Sequence, residues 1–252
     1  MKTIQLETVD STNTYAKTYL RENGAFHEPL LILAEEQTGG RGRKGKSFSS
    51  VKGNGIYMTL CLPFSNRPEE AVFVTAAAGT AVREALYELT GEEFTIKWVN
   101  DIYLRGKKVA GILTEAVTDP ETGLLRYAVT GVGINLNADI GKMPKEVQAV
   151  AGTIPYAGDA SAVPFFVASR IQETVELAFS GKEGRKAVLS SYREHSFLTG
   201  KHVTFTENGV LFEGRVQGID DGARLLVVTK EGLKALDSGE VSVKFPRKKE
   251  VF

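Results

Sequence analysis

At 252 residues, 42% hydrophobic and 25% charged, the chain has an ordinary globular composition and enough length to bury a substantial core. Its 31 Lys and Arg balance 31 Asp and Glu, so no whole-chain field favours nucleic acid or an anionic membrane, and electrostatic function must come from local clustering. The single Cys61 excludes an internal disulfide and fits a reducing compartment; without a signal-like N-terminus or a bilayer-length apolar run, a cytoplasmic protein with no membrane partner is expected.

Residues 3–7 alternate as a strand does. Asp10, Ser11, Thr12 and Asn13 then supply helix-capping side chains ahead of Tyr15, Ala16, Tyr19 and Leu20, which share a helical face. Residues 30–35 read as a buried strand leading into Gly39-Gly40-Arg41-Gly42-Arg43-Lys44-Gly45-Lys46, where four glycines interleave with four cations. No acid falls between Glu36 and Glu69. Glycine lets backbone N–H groups approach an anion closely, and Arg and Lys add charge-assisted hydrogen bonds, so the loop suits a phosphate. A solvated surface loop and a nucleic-acid patch compete with that reading. No aromatics interleave with the cations, and the loop does not match G-x-x-x-x-G-K-[ST], which excludes a P-loop.

Ile56, Met58, Leu60 and Leu62 alternate with Tyr57, Thr59 and Cys61, predicting a strand covered on both faces with Cys61 as a small buried hydrophobe. Residues 69–89 are Ala-rich and predict a helix, with Val72, Ala76, Gly79, Val82 and Leu86 on one face. Strands are predicted at 94–99, 108–117 and 124–136, joined by turns at 105–107 and 119–123. Joins this short make antiparallel pairs, so the sheet is not doubly wound. Residues 137–160 read as irregular, and helices follow at about 163–179 and 184–195. From 201 to 245, β-rich runs punctuated by Asn208-Gly209, Asp220-Asp221-Gly222 and Glu231-Gly232 predict a small antiparallel barrel. The expected fold is therefore α+β: a mixed, largely antiparallel sheet flanked by helices in residues 1–199, and a small β-barrel domain in residues 200–252. Arg247, Lys248 and Lys249 read as a solvated end.

Three further segments carry candidate chemistry. Lys97-Trp98-Val99-Asn100-Asp101 closes a predicted strand; it reads either as a core tryptophan with a turn, or as a phosphate-binding Lys97 with Asp101 facing a metal ion or an amine. Ala110-Gly111 follows Lys107 and Lys108, and small residues in a strand mark close approach of a ligand or backbone. Gly131-Val132-Gly133-Ile134-Asn135 repeats that pattern and adds an amide for base or sugar recognition. His27, His195 and His202 lack ligand spacing, no serine lies in a nucleophile elbow, and no Cys/His pair is suggested. Covalent hydrolase chemistry is disfavoured.

In this order, five motifs resemble the biotin–protein ligases: residues 10–13 (Asp-Ser-Thr-Asn), 36–43 (Glu-Gln-Thr-Gly-Gly-Arg-Gly-Arg), 97–101, 108–113 and 131–135. The resemblance implies a class II synthetase-like catalytic domain and a C-terminal SH3-like β-barrel, the latter matched by layout rather than by motif. It implies an ATP-dependent ligase that forms biotinyl-5′-AMP and pyrophosphate, then transfers biotin to a lysine of a carrier domain, such as that of acetyl-CoA carboxylase. Both steps need positioning and charge stabilisation more than a protein nucleophile. By the same resemblance Ser11, Thr12, Asn13 and Gln37 surround the ureido ring of biotin, with Gly40, Gly111 and Gly131 leaving room. The Arg41-Gly42-Arg43 backbone closes over biotin, Arg43 faces phosphate, and Lys108 meets the carboxylate and the α-phosphate. Lys97, Asn100, Asp101 and Asn135 serve the nucleotide or the acceptor, Asp101 by orienting or deprotonating the incoming amine. Lys108, Arg43 and Asp101 are the expected catalytic groups. Mg²⁺ is implied with ATP, its ligands unassigned, and an exposed sheet edge allows a homodimer.

Departures from the family pattern are Val99 where proline is common and Phe48 where some members carry tryptophan over the loop. Because the catalytic motifs begin at Asp10, an N-terminal helix-turn-helix and a repressor role are not expected, and no nucleic-acid partner is implied. The runner-up is a lipoate or octanoate ligase or transferase of the same architecture, for which Gln37 and the Ser11-Thr12-Asn13 cluster offer unneeded polar groups. With little to hold a glycine loop in place, residues 39–46 are expected to order on ligand binding.

Overall fold

The computed structural model describes residues 1–24, 27–66, 70–119, 121–237, 239 and 241–243. The Arg247-Lys248-Lys249 end and residue 69 at the start of the predicted Ala-rich helix lie outside these. Among the described residues twelve strands and five helices follow, in the order β1 (Lys2–Val9), α1 (Thr12–Asn23), β2 (Leu30–Gln37), β3 (Ile56–Asn66), α2 (Ala71–Thr90), β4 (Phe94–Lys97), β5 (Asp101–Leu104), β6 (Lys107–Thr118) and β7 (Leu125–Ile134). Then come α3 (Lys145–Gln148), α4 (Val163–Phe179), α5 (Lys182–Glu194), β8 (His202–Glu207), β9 (Val210–Ile219), β10 (Leu225–Thr229), β11 (Gly232–Leu236) and β12 (Val241–Val243). None of these helices is long and apolar enough to cross a membrane.

The first seven strands form one mixed sheet in the order β1-β2-β3-β7-β6-β5-β4. Only β1 and β2 pair in parallel, because α1 carries the chain back between them; every other pair is antiparallel. Strand alternation explains three layers. Leu30 and Ile32 of β2 join Ala16 and Leu20 of α1 on one face, together with Cys61 and Val129. Leu31, Met58, Leu60 and Leu62 point the other way, into the larger core built with α2, α4 and α5. β3 is thus covered on both faces, as its alternation predicts, and burial pushes the Cys61 thiol up to about 12.

Three expectations need correction. The strand predicted over 94–99 stops at Lys97, and a separate four-residue strand, β5, starts at Asp101; so short an element carries no periodic signal. Residues 137–160 are not wholly irregular, since a 3₁₀ turn at Ile140–Lys142 and the short α3 interrupt them. Ser11 stands at the N-cap of α1, yet its side chain caps no backbone N–H.

The last five strands make an antiparallel sheet in the order β11-β10-β9-β8-β12, and no pairing between β11 and β12 closes it among the described residues. The β8–β9 hairpin turns at Asn208 (φ 50°) and Gly209 (φ 79°), the left-handed pair that a two-residue turn demands. Residues 219–223 tie this sheet to the larger part of the chain: Trp98 Nε1, just after β4, donates to Ala223 O at 2.8 Å, Arg193 Nε of α5 donates to Ile219 O at 2.8 Å, and Arg193 pairs with Asp221 at 2.7 Å.

Candidate functional site

A cavity of about 690 Å³ opens over β3, β7, β6 and β5 of the large sheet. Of the residues to which the resemblance gives a binding or catalytic role, all but Gly40 line it. Gly40 lies just behind: a side chain there would run into Phe48 O and meet Ser50 Oγ at 2.7 Å.

One end is polar and uncharged. Ser11, at the N-cap of α1, and Thr12 and Asn13, in its first turn, are buried to 3% exposure or less. Gln37, at the end of β2, accepts from the Thr12 backbone N–H (2.9 Å), meets the Thr12 hydroxyl (3.0 Å) and donates through Nε2 to Ser50 Oγ (2.7 Å). Asn13 donates to Leu113 O (3.1 Å) and Glu115 Oε2 (2.9 Å). Gly131 of β7 lies directly under that amide, and a Cβ at 131 would collide with Asn13 Oδ1.

The other end is charged. The basic loop folds back as a tight hairpin: Gln37 bridges Ser50, Arg41 bridges Ser47, Phe48 N donates to Gly40 O at 2.8 Å, and Gly42 N donates to Lys46 O at 2.6 Å. At its tip Lys44 (φ 53°) and Gly45 (φ 75°) adopt left-handed backbone. These bonds bring Arg41, Gly42 and Arg43 to the cavity wall. Phe48 then lies over the facing pair Gly111 and Gly133, where a side chain at 133 would overlap its ring. The glycines of β6 and β7 make room for this aromatic.

Lys108 Nζ pairs with Asp101 Oδ1 at 2.7 Å and stands 5.9 Å from the Phe48 ring centre. Lys97 Nζ stands 5.8 Å from the Tyr103 ring centre. Burial, reinforced by Asp101, pushes the Tyr103 phenol up to about 12, so it stays a neutral donor. Asn100 and Asn135 face the cavity but have structural work as well. Asn100 Nδ2 donates to Ile112 O (2.7 Å), and Asn135 Nδ2 donates to Gly152 O (2.9 Å), fastening residues 150–154 to the sheet. The Trp98–Val99 peptide is cis, and Val99 O accepts from the buried Tyr192 hydroxyl at 3.1 Å.

Several wall residues were not anticipated from sequence. Met143, Glu146, Val147 and Val150 close one side from the segment read as irregular, and Gly239, Val241 and Ser242 reach in from the small sheet. Thr59 and Glu115 stand behind Asn13; the sequence places both in strands and gives neither a role at the site.

Residues 6–135 match the model of the biotin/lipoate A/B protein ligase family, and residues 198–244 match the biotin protein ligase C-terminal domain. The chain is 30% identical over 227 residues to the bifunctional ligase/repressor BirA of Bacillus subtilis, covering 88% of this chain and 68% of that one. It is 29% identical over 245 residues to the biotin–[acetyl-CoA-carboxylase] ligase of Mycobacterium tuberculosis, covering 94% and 88%. Its fold is similar to that of the Aquifex aeolicus biotin protein ligase in complex with biotin and ATP, with a TM-score of 0.78 at 28% identity over 96% of this chain and 98% of that one.

Proposed function

The chain belongs to the biotin protein ligase family and is a ligase, and from that premise we propose that it activates biotin with ATP and transfers it to a lysine of a biotin carboxyl carrier domain. The observation that supports this most directly is the two-ended cavity, a buried neutral polar end continuous with an end lined by Arg41, Arg43, Lys97 and Lys108. Biotin has the matching polarity: a neutral ureido ring at one end and a carboxylate at the other. The ring sits among Ser11, Thr12, Asn13 and Gln37, with Gly131 beneath and Gly40 behind. The carboxylate lies at Lys108, below the Arg41-Gly42-Arg43 hairpin, where the α-phosphate of ATP also comes.

In the first step a carboxylate oxygen attacks the α-phosphorus, the bond to the bridging oxygen breaks, and pyrophosphate leaves. Negative charge gathers on the α-phosphoryl oxygens, and the Lys108 ammonium and Arg43 guanidinium stabilise it. Lys97, Asn100 and Asn135 hold the nucleotide. In the second step the acceptor amine attacks the acyl carbon, an amide forms, AMP leaves, and the amine releases a proton. Asp101 orients that amine and takes the proton, after Lys108 has turned from it toward phosphate. Mg²⁺ comes with the ATP phosphates: among the described residues no three His, Cys, Asp or Glu side chains gather to hold a metal, and no step above passes through it. We assign catalysis to residues 1–199 and the smaller sheet to a separate domain, residues 200–252.

The test is incubation with ATP, Mg²⁺, biotin and a carboxylase carrier domain. A carrier mass increase of one biotinyl group, dependent on ATP, is the expected result. Acylation by octanoate or lipoate alone would transfer the assignment to the related acyl ligases. DNA binding that weakens steeply with salt, with no thermal shift on adding biotin, would point to a nucleic-acid role for the basic loop.

A further inference from the structure

Behind the ring-binding end, four oxygens form a chain. Gln37 Oε1 meets Thr12 Oγ1 at 3.0 Å, Thr12 Oγ1 meets Thr59 Oγ1 at 2.7 Å, and Thr59 Oγ1 meets Asn13 Oδ1 at 2.7 Å. Each contact needs a hydrogen, and only the two threonine hydroxyls can supply one. Both ends of the chain are carbonyl acceptors, and each is pinned in that orientation. Gln37 Oε1 is fixed by the Thr12 backbone N–H at 2.9 Å. Asn13 is fixed from its other side, because its Nδ2 faces Leu113 O and the Glu115 carboxylate at 3.1 and 2.9 Å.

Turning the Asn13 amide over would satisfy the chain internally. Nδ2 would donate to Thr59, Thr59 to Thr12, and Thr12 to Gln37. That turn would set Asn13 Oδ1 against a carbonyl and a carboxylate, oxygen against oxygen. Glu115 is itself anchored by Lys17, whose Nζ lies 2.6 Å from Oε1. The Glu115 carboxylate, paired with Lys17, only accepts and has no hydrogen to offer a turned Asn13, so it opposes the satisfied arrangement.

Building on the biotin-ligase reading, we propose that Glu115 is a positioning residue that keeps the Gln37–Thr12–Thr59–Asn13 chain one hydrogen short, so that this end of the cavity takes a cyclic ligand bearing N–H donors. A ureido ring carries two such donors, whereas a plain acyl chain has none. Glu115 thereby contributes to selection between biotin and simple fatty acids without touching either.

The test is isothermal titration of the full chain with biotin and, separately, with ATP. The proteins are wild type, Glu115→Gln, Asn13→Ala and the double variant, each with its ligand-free melting temperature. Glutamine keeps the shape and can still accept from Lys17, but its amide can donate to a turned Asn13. The expected result is a loss of about tenfold or more in biotin affinity for Glu115→Gln, since one donor contact to the ligand is lost. ATP affinity stays within about twofold and the ligand-free melting temperature is unchanged or higher, because the chain is now satisfied without ligand. The double variant binds biotin no more weakly than Asn13→Ala alone, since Glu115 acts through Asn13. Unchanged biotin affinity in Glu115→Gln overturns the proposal while leaving the ligase reading intact. So do a joint loss of biotin binding, ATP binding and melting temperature, or additive effects in the double variant. Failure of the wild type to bind biotin overturns the ligase reading and this proposal together.

Discussion

Lys108 reaches Asp101 by crossing a glycine. Its Nζ lies 2.7 Å from Asp101 Oδ1, yet the residue opposite Asp101 in the β5–β6 ladder is Gly111. A Cβ at 111 would stand 3.1 Å from both Cε and Nζ of Lys108 and 3.2 Å from Phe48 Cε2. Gly111 is therefore the floor over which the lysine and the aromatic both pass.

Gly111→Ala should leave the fold intact, because the atoms it crowds are the ends of side chains that can move aside. The lysine head would then shift from the place where charge develops. A fall of about 10- to 100-fold in biotin-dependent pyrophosphate release is expected, with a melting temperature within about 2 °C of wild type. Full activity in this variant would show that the Lys108 position is not critical.

Lys108 and Asp101 should separate the two half-reactions. Lys108→Ala removes the cation at the α-phosphoryl group and is expected to slow adenylate formation by about 10²- to 10³-fold, the scale of a lost oxyanion donor. Asp101→Asn leaves that cation in place and should reduce transfer to the carrier lysine more than pyrophosphate release. Measuring both steps with one enzyme preparation checks the division of labour. Equal losses in both steps for Asp101→Asn would argue against its role toward the amine.

Gly131→Ala should be specific to the ring-binding end. The added methyl would strike Asn13 Oδ1, and Asn13 is held by Thr59, Leu113 and Glu115, so the amide cannot yield without breaking buried hydrogen bonds. Biotin affinity should fall by at least about 100-fold, equivalent to losing about 2.7 kcal/mol, while ATP still binds. Titration calorimetry with each ligand gives the comparison.

The parts of the site legible in the sequence are those whose chemistry is carried by residue type. Gly39 to Lys46 declares itself by charge and glycine, and the helix start at Ser11, Thr12 and Asn13 by small polar side chains. β3 was legible because both of its faces are covered, so its alternation runs unbroken. β5 was not, because Asn100 and Asp101 are turn-forming types and a four-residue strand has no period to detect. Thr59 and Glu115 were hidden for a different reason. Their strands were legible, but a strand pattern names no partner across the fold, and only the tertiary placement of α1 against the sheet makes these two the partners of Asn13. Val241 and Ser242 reach the cavity from the second sheet, a contact for which no local pattern exists.

Acidification should loosen the joint between the two sheets through Asp220. Its Oδ1 accepts from the backbone N–H groups of Gly222 and Arg224 at 2.9 Å each, and its Oδ2 accepts from Arg224 Nε at 2.7 Å. These bonds shape the turn in which Ala223, at φ 61°, presents its carbonyl to Trp98, next to Lys97 and Asn100. Partial burial pushes the Asp220 carboxyl up, but the Arg224 N–H, its guanidinium and the Gly222 N–H outweigh that and hold it below the usual carboxylate range. A carboxyl lowered by folding stabilises the fold above its unfolded value of about 3.9, and that contribution disappears as pH falls through the lower folded value. Asp220→Asn should therefore lower the melting temperature at pH 7 by roughly 2–4 °C, a modest effect because the Arg224 partner is half exposed to water. The gap should start to close below about pH 3.9, where the unfolded chain takes up the proton, and vanish once the pH has fallen through the lower value at which folded Asp220 itself becomes neutral. A gap that persists unchanged to pH 2.5 would mean that the charge contributes nothing and that the hydrogen-bond geometry alone holds the turn.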